Sequence, residues 1–80
     1  MPSKDQLTVA GFKTLKAIGT ACKASPKGVC DFYSLNRNGG VVTSAFRLTQ
    51  QGLVVKEVVN GFAEWRLTEQ GIEVYNRSES

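Results

Sequence analysis

The sequence predicts an α+β fold with a three-helix core, a two-stranded β-hairpin and a short C-terminal helix. Three observations carry this. Apolar residues recur at helical spacing over residues 7–24 and again over 40–51. A Val-rich stretch, Asn60-Gly61 and a second apolar stretch then form the strongest short-range hairpin signal a sequence offers. Ser25-Pro26-Lys27-Gly28 and Asn36-Arg37-Asn38-Gly39-Gly40 punctuate the chain between the helical stretches.

In the first helix, Leu7, Gly11, Leu15, Ile18 and Cys22 are spaced by four and three, with Ala10, Ala17 and Ala21 beside them. Lys13, Lys16, Thr20 and Lys23 fall on the opposite, solvated side. Its start has two candidates, the capping box Ser3-x-x-Gln6 and the N-cap Thr8. Its end is set by Pro26, because the residue before a proline avoids the helical region. Val29 to Leu35 is a short apolar stretch in which Val29, Phe32 and Tyr33 share one face, with Phe32 assigned to the core. From Gly40 to Gln51 the helical period returns. Val41, Ala45 and Leu48, with Val42 and Phe46, take one arc; Thr43, Ser44, Arg47, Gln50 and Gln51 take the other. Gly52 stands where a helix takes its left-handed closing residue, and Leu53 packs back on the last turn.

A two-residue turn at Asn60-Gly61 fixes the hairpin register: Val59 with Phe62, Val58 with Ala63, Lys56 with Trp65, Val54 with Leu67. Val54, Val58, Ala63, Trp65 and Leu67 then share one buried face, with the Lys56 stem along the indole. Glu57 opposes Glu64, a pairing that requires solvent. Thr68 caps a last helix of about two turns through Tyr75, and residues 1–6 and 77–80 are expected to fray.

Eighty residues fit a single domain spanning 1–80. With 41% hydrophobic and 21% charged residues, the chain is neither a disordered tail nor a membrane protein. Its longest uncharged apolar run, Gly52-Leu53-Val54-Val55, is far too short to span a bilayer, and residues 1–5 show no secretory pattern, so a cytoplasmic protein is expected. The absence of His removes the imidazole base, the serine-protease type of triad and the mixed Cys/His zinc site. Cys22 and Cys30 read as buried reduced thiols. No enzyme activity, cofactor or metal is expected. The net charge of +3 is unevenly spread: residues 1–50 hold seven Lys+Arg and two acids, net +5, whereas residues 51–80 hold three and five, net −2.

Three segments resemble a known family. Gly40 to Val54 ends in Leu48-Thr49-Gln50-Gln51-Gly52-Leu53-Val54; Leu67-Thr68-x-x-Gly71 follows the hairpin; Gly11-Phe12-x-x-Leu15-x-x-Ile18 lies in the first helix. In this order and spacing they resemble the winged helix-turn-helix core of MarR-type transcriptional regulators over nearly the whole chain. The long terminal helices that dimerise those regulators have no counterpart here, and the tip Val59-Asn60-Gly61-Phe62 lacks their basic wing residues.

The resemblance implies sequence-specific double-stranded DNA binding by a small transcriptional regulator, with the helix over residues 40–51 in the major groove. The residues agree with it. Thr43, Ser44, Arg47, Gln50 and Gln51 offer groups that read base edges, and no Asp or Glu occurs from Phe32 to Lys56. Arg47 is expected to specify a base, supported by Thr43, Ser44 and Gln51. Gly39 and Gly40 let the backbone approach a phosphate, Arg37 and Asn38 contact phosphates, and Lys56 joins them from the hairpin. A homodimer on half-sites about 10 base pairs apart would supply useful specificity. A second reading stays open: a protein-interaction module or accessory subunit using Val55, Val59 and Phe62, favoured by the modest net charge and the acidic hairpin half.

Overall fold

A computed structural model describes residues 9–79, with side chains through residue 77. Both candidate caps of the first helix, its residues 7 and 8, and the expected fraying of residues 1–6 lie outside the described residues. The elements are α1 (Val9–Ala24), β1 (Cys30–Asp31), α2 (Phe32–Arg37), α3 (Val42–Gln50), β2 (Val54–Val59), β3 (Phe62–Leu67) and α4 (Glu69–Glu79). The strands form one antiparallel sheet in the order β1-β3-β2. No described helix is long and apolar enough to cross a membrane.

The core lies where α1, α2 and α3 meet the base of the hairpin. Leu15, Ala17, Ile18 and Ala21 of α1 pack with Cys30, Leu35, Ala45, Leu48, Val54 and Trp65. Thr14, also fully buried, accepts the Val41 N–H at 3.1 Å, so the polar group costs little and ties α1 to the entrance of α3. The end of α3 follows the glycine rule. Gly52 sits at φ +79°, its N–H reaches Thr49 O at 3.1 Å, and Leu53 N–H reaches Leu48 O at 3.0 Å. Thr68 closes the hairpin onto α4: its hydroxyl donates to Gly52 O at 2.7 Å and accepts the Gly71 N–H at 3.1 Å. Gly71 packs so closely that an added methyl would collide with the Leu53 carbonyl oxygen. Tyr75 is buried on α1 over Gly19, with Lys23 Nζ 4.9 Å from its ring centre.

The hairpin register is the expected one, Val54 with Leu67 through Val59 with Phe62, and the turn has positive φ at both Asn60 (53°) and Gly61 (82°). Glu57 does oppose Glu64, and Arg66 relieves the pair by bonding Glu57.

Four readings change. The stretch from Val29 to Leu35 is not one helical face: Cys30–Asp31 pairs with Trp65 and Glu64, and the Asp31 carboxylate then caps α2 by accepting the Ser34 N–H at 2.7 Å. That cap fixes where α2 begins and sends Phe32 (52% exposed) and Tyr33 (80%) outward while Leu35 turns in, so Phe32 is not core. Val58, expected to be buried, is 65% exposed, because the tip of the hairpin extends beyond the helices that cover Val54 and Trp65. Val41, Val42 and Phe46 are exposed, and only Ala45 and Leu48 of α3 are buried. The last helix runs to Glu79, past the Tyr75 end expected, with Arg77 held to Glu73 at 2.7 Å.

Candidate nucleic-acid interface

The turn between α2 and α3 is held by its own hydrogen bonds. Gly40 N–H donates to Leu35 O at 2.8 Å, Gly39 N–H to Asn36 O at 3.1 Å, and Asn38 Nδ2 to Ser34 O at 2.8 Å. Gly40 is buried, and a methyl on it would strike Leu35. Its glycine is thus required by packing within the helix-turn-helix, while Gly39 beside it is exposed. The Asn38 side chain is committed to the end of α2, where Arg37 stands exposed in the last turn. Val41, the N-cap of α3, supplies no side-chain acceptor, so the first backbone N–H groups of that helix point out of its end without a cap.

The outer face of α3 follows from its pitch. At about 100° per residue, Thr43, Arg47 and Gln50 fall within about 60° of one another, opposite Ala45 and Leu48, and all three are exposed. Phe46 lies beside Gln50 on this face, 60% exposed. Helical period alone places Phe46 on the inner arc, and the structure turns it out. Four apolar positions crowd a helix of nine residues, and an arc buried on one side takes only those nearest its centre. Ser44 and Gln51 sit on one shoulder and are half-buried, with Gln51 Oε1 turned away from solvent. Lys56 is exposed on the hairpin opposite Trp65. Thr43, Arg47 and Gln50 are therefore brought together with Phe46; Arg37, Asn38 and Gly39 belong to the preceding turn, Lys56 to the wing.

Charge separates this face from the sheet. Neither α2 nor α3 contains an acid, so Arg47 faces no carboxylate of its own helix, whereas Arg37 acts at a distance on Asp31, the cap of α2. Arg66, by contrast, is bonded to Glu57. Across the outer face of the sheet, Asp31, Glu64 and Glu57 occupy adjacent registers on the three strands. Val55, Val59 and Phe62, the residues of the protein-interaction reading, belong to that outer face as well, each exposed. Cys30 is fully buried and Cys22 half-buried; both are free thiols. Burial pushes the Cys30 thiol up to about 12 and raises Cys22, so neither is a thiolate at neutral pH. Among the described residues no His/Cys/Asp/Glu group is placed to hold a metal.

Sequence reasoning missed Thr14, Asp31 and Phe46. Asp31 had a usable signal, an N-cap residue directly before a short apolar helix. Thr14 had none, because its acceptor role depends on a partner 27 residues away.

No known family profile and no curated protein matches the sequence. Among solved structures, the chain is similar to BpsR of Bordetella bronchiseptica, a protein whose DNA binding is regulated by 6-hydroxynicotinic acid. The TM-score is 0.70 at 16% identity over 98% of this chain. The fold is a winged helix. The chain spans 61% of the length of that protein's chain. In winged-helix terms α2 and α3 are the helix-turn-helix, and β2 and β3 the wing.

Proposed function

We propose that this winged helix binds duplex DNA sequence-specifically as a cytoplasmic transcriptional regulator, with the outer face of α3 in the major groove. The acid-free exposed face Thr43/Phe46/Arg47/Gln50 carries the reading. A groove about 12 Å wide admits one helix, and the residue types match its code: arginine to guanine O6 and N7, glutamine to adenine N6 and N7, a phenyl ring to the thymine methyl. Arg47 is the base reader, with Thr43 and Gln50 beside it; Ser44 and Gln51 support from the shoulder. A phosphate oxygen at the uncapped start of α3 would accept its first N–H groups and sit at the positive end of the dipole. Arg37 and Lys56 add phosphate contacts on either side. The regulated DNA binding of BpsR supports the same use of the fold. Two copies on half-sites about 10 base pairs apart would raise the specificity of so small an interface.

The test is a titration of duplex DNA followed by backbone amide shifts. Thr43, Phe46 and Arg47 should move, and affinity should fall with salt at a slope equivalent to about three to six phosphates. Unmoved α3 amides at low salt would exclude the proposal.

A further inference from the structure

A concave surface lies on the other side of the charge divide. An open cleft of about 500 Å³ separates the hairpin turn from the start of α2. Phe32 and Tyr33 line it from α2, Val59 and Phe62 from the wing, and the carboxylates of Asp31 and Glu64, Cα partners across β1 and β3, line it as well. The three rings are 52%, 80% and 72% exposed (Phe32, Tyr33 and Phe62), a concentration of aromatic surface that isolated surface residues do not produce.

The charges select the occupant. Exposed rings alone would also suit stacked bases, but two carboxylates against the single ammonium of Lys27 repel a phosphate chain. Ring faces and carboxylates together attract a guanidinium or ammonium group. The backbone selects its form. β1 covers β3 only at Trp65 and Glu64, because the chain turns into α2 at Phe32; on that side, among the described residues, the edge of β3 at Ala63 has no strand beside it, while Phe62 spends its backbone groups on Val59 across the turn. An unpaired edge next to side-chain pockets is where an extended peptide adds as a strand.

We propose that this cleft docks an extended segment of a partner protein bearing an arginine or lysine. Its cationic head meets Asp31 and Glu64, its stem lies among Phe32, Tyr33 and Phe62, and its backbone runs beside Ala63. The site does not depend on the DNA reading, since it shares no residue with the outer face of α3.

The probe is an acetylated, amidated peptide of alternating leucine and arginine, titrated into the full chain and followed by amide shifts. Saturable shifts should appear at Phe32, Tyr33 and residues 60–63, and a matched leucine–glutamate peptide should produce none. Glu64→Gln and Asp31→Asn should each weaken binding about fivefold. Both variants should fold, since glutamine relieves the repulsion with Glu57 and asparagine is itself a good helix cap. Glu64→Gln, on the sheet away from the helix-turn-helix, should leave the duplex titration unchanged, so the two readings fail separately. Equal binding of the glutamate peptide, unchanged affinity in both variants, shifts confined to other surfaces, or preferential binding of a single-stranded oligonucleotide in the cleft would each overturn the proposal.

Discussion

Phe46 on α3 and Phe62 on the wing are both exposed rings, yet the residues around them differ in sign. Phe46 shares its face with Thr43, Arg47 and Gln50, and its helix contains no acid. Phe62 shares its face with Val59, Glu64 and Glu57, with Asp31 one strand further. An aromatic side chain offers contact area to any partner; the charges next to it decide which partner gains. The net +3 of the chain thus averages two surfaces of opposite preference. Both surfaces rest on one core, through Trp65 on the sheet side and Ala45 and Leu48 on the helix side.

The largest expected effect removes both surfaces together. Gly71 lies in α4, where alanine would ordinarily be the better helix former by up to about 1 kcal/mol. Here the added methyl meets the Leu53 carbonyl, a backbone atom that cannot rotate aside. Gly71→Ala should therefore destabilise the fold by about 3 kcal/mol, read from urea unfolding by circular dichroism. A gain in stability would show that α4 does not pack against the base of the wing.

The next effect separates the surfaces. Arg47→Ala should cost about 1–3 kcal/mol of duplex affinity and relax discrimination at one base pair, measured by competition among point-substituted duplexes. Its stability should change by less than about 0.5 kcal/mol, because the side chain is exposed. The leucine–arginine peptide should bind the variant normally. Equal losses on both ligands would mean that the two surfaces are not independent.

How much of this was legible in the sequence depended on the range of the forces involved. The wing register was legible because Asn60-Gly61 and the alternation of Val54, Lys56 and Val58 are local constraints that agree. The stop at Gly52 and the cap at Thr68 were legible for the same reason. Phe32, Phe46 and Val58 were misplaced, since periodicity says which residues share a face but not how far the neighbouring element reaches over it. β1 was invisible: two residues have no period, and only their pairing with Trp65 and Glu64 makes them a strand. For the candidate site, the polar arc of α3 was readable, while the aromatic within it and the half-burial of Ser44 and Gln51 required the packing against α1 and β2.

A smaller effect tests Phe46 itself. If its ring lies on a thymine methyl, replacing that thymine by uracil removes about 0.8 kcal/mol, the value of one buried carbon. In Phe46→Ala the same base change should cost nothing, and the variant should unfold at the same urea concentration as the parent. A double-mutant cycle of protein against base isolates the term. Equal uracil penalties in parent and variant would place the ring elsewhere.

The smallest effect concerns Asp31, where the acidic surface meets the helix-turn-helix. The Ser34 backbone N–H, with the Ser34 side chain and Arg37 adding to it, holds this carboxyl below its usual range. The folded chain therefore binds this proton less readily than the unfolded one. The stabilisation is complete above the unfolded value near 3.9 and is lost as pH falls through the lower folded value. Because Asp31 is exposed, solvent screens the effect and it should be slight. Asp31→Asn keeps a capping oxygen but carries no charge. Urea midpoints of the parent should exceed those of the variant at about pH 5 and converge on them near about pH 2. Parallel curves would mean that the cap contributes through geometry alone, and that the carboxylate charge is available in full to a cationic ligand in the cleft.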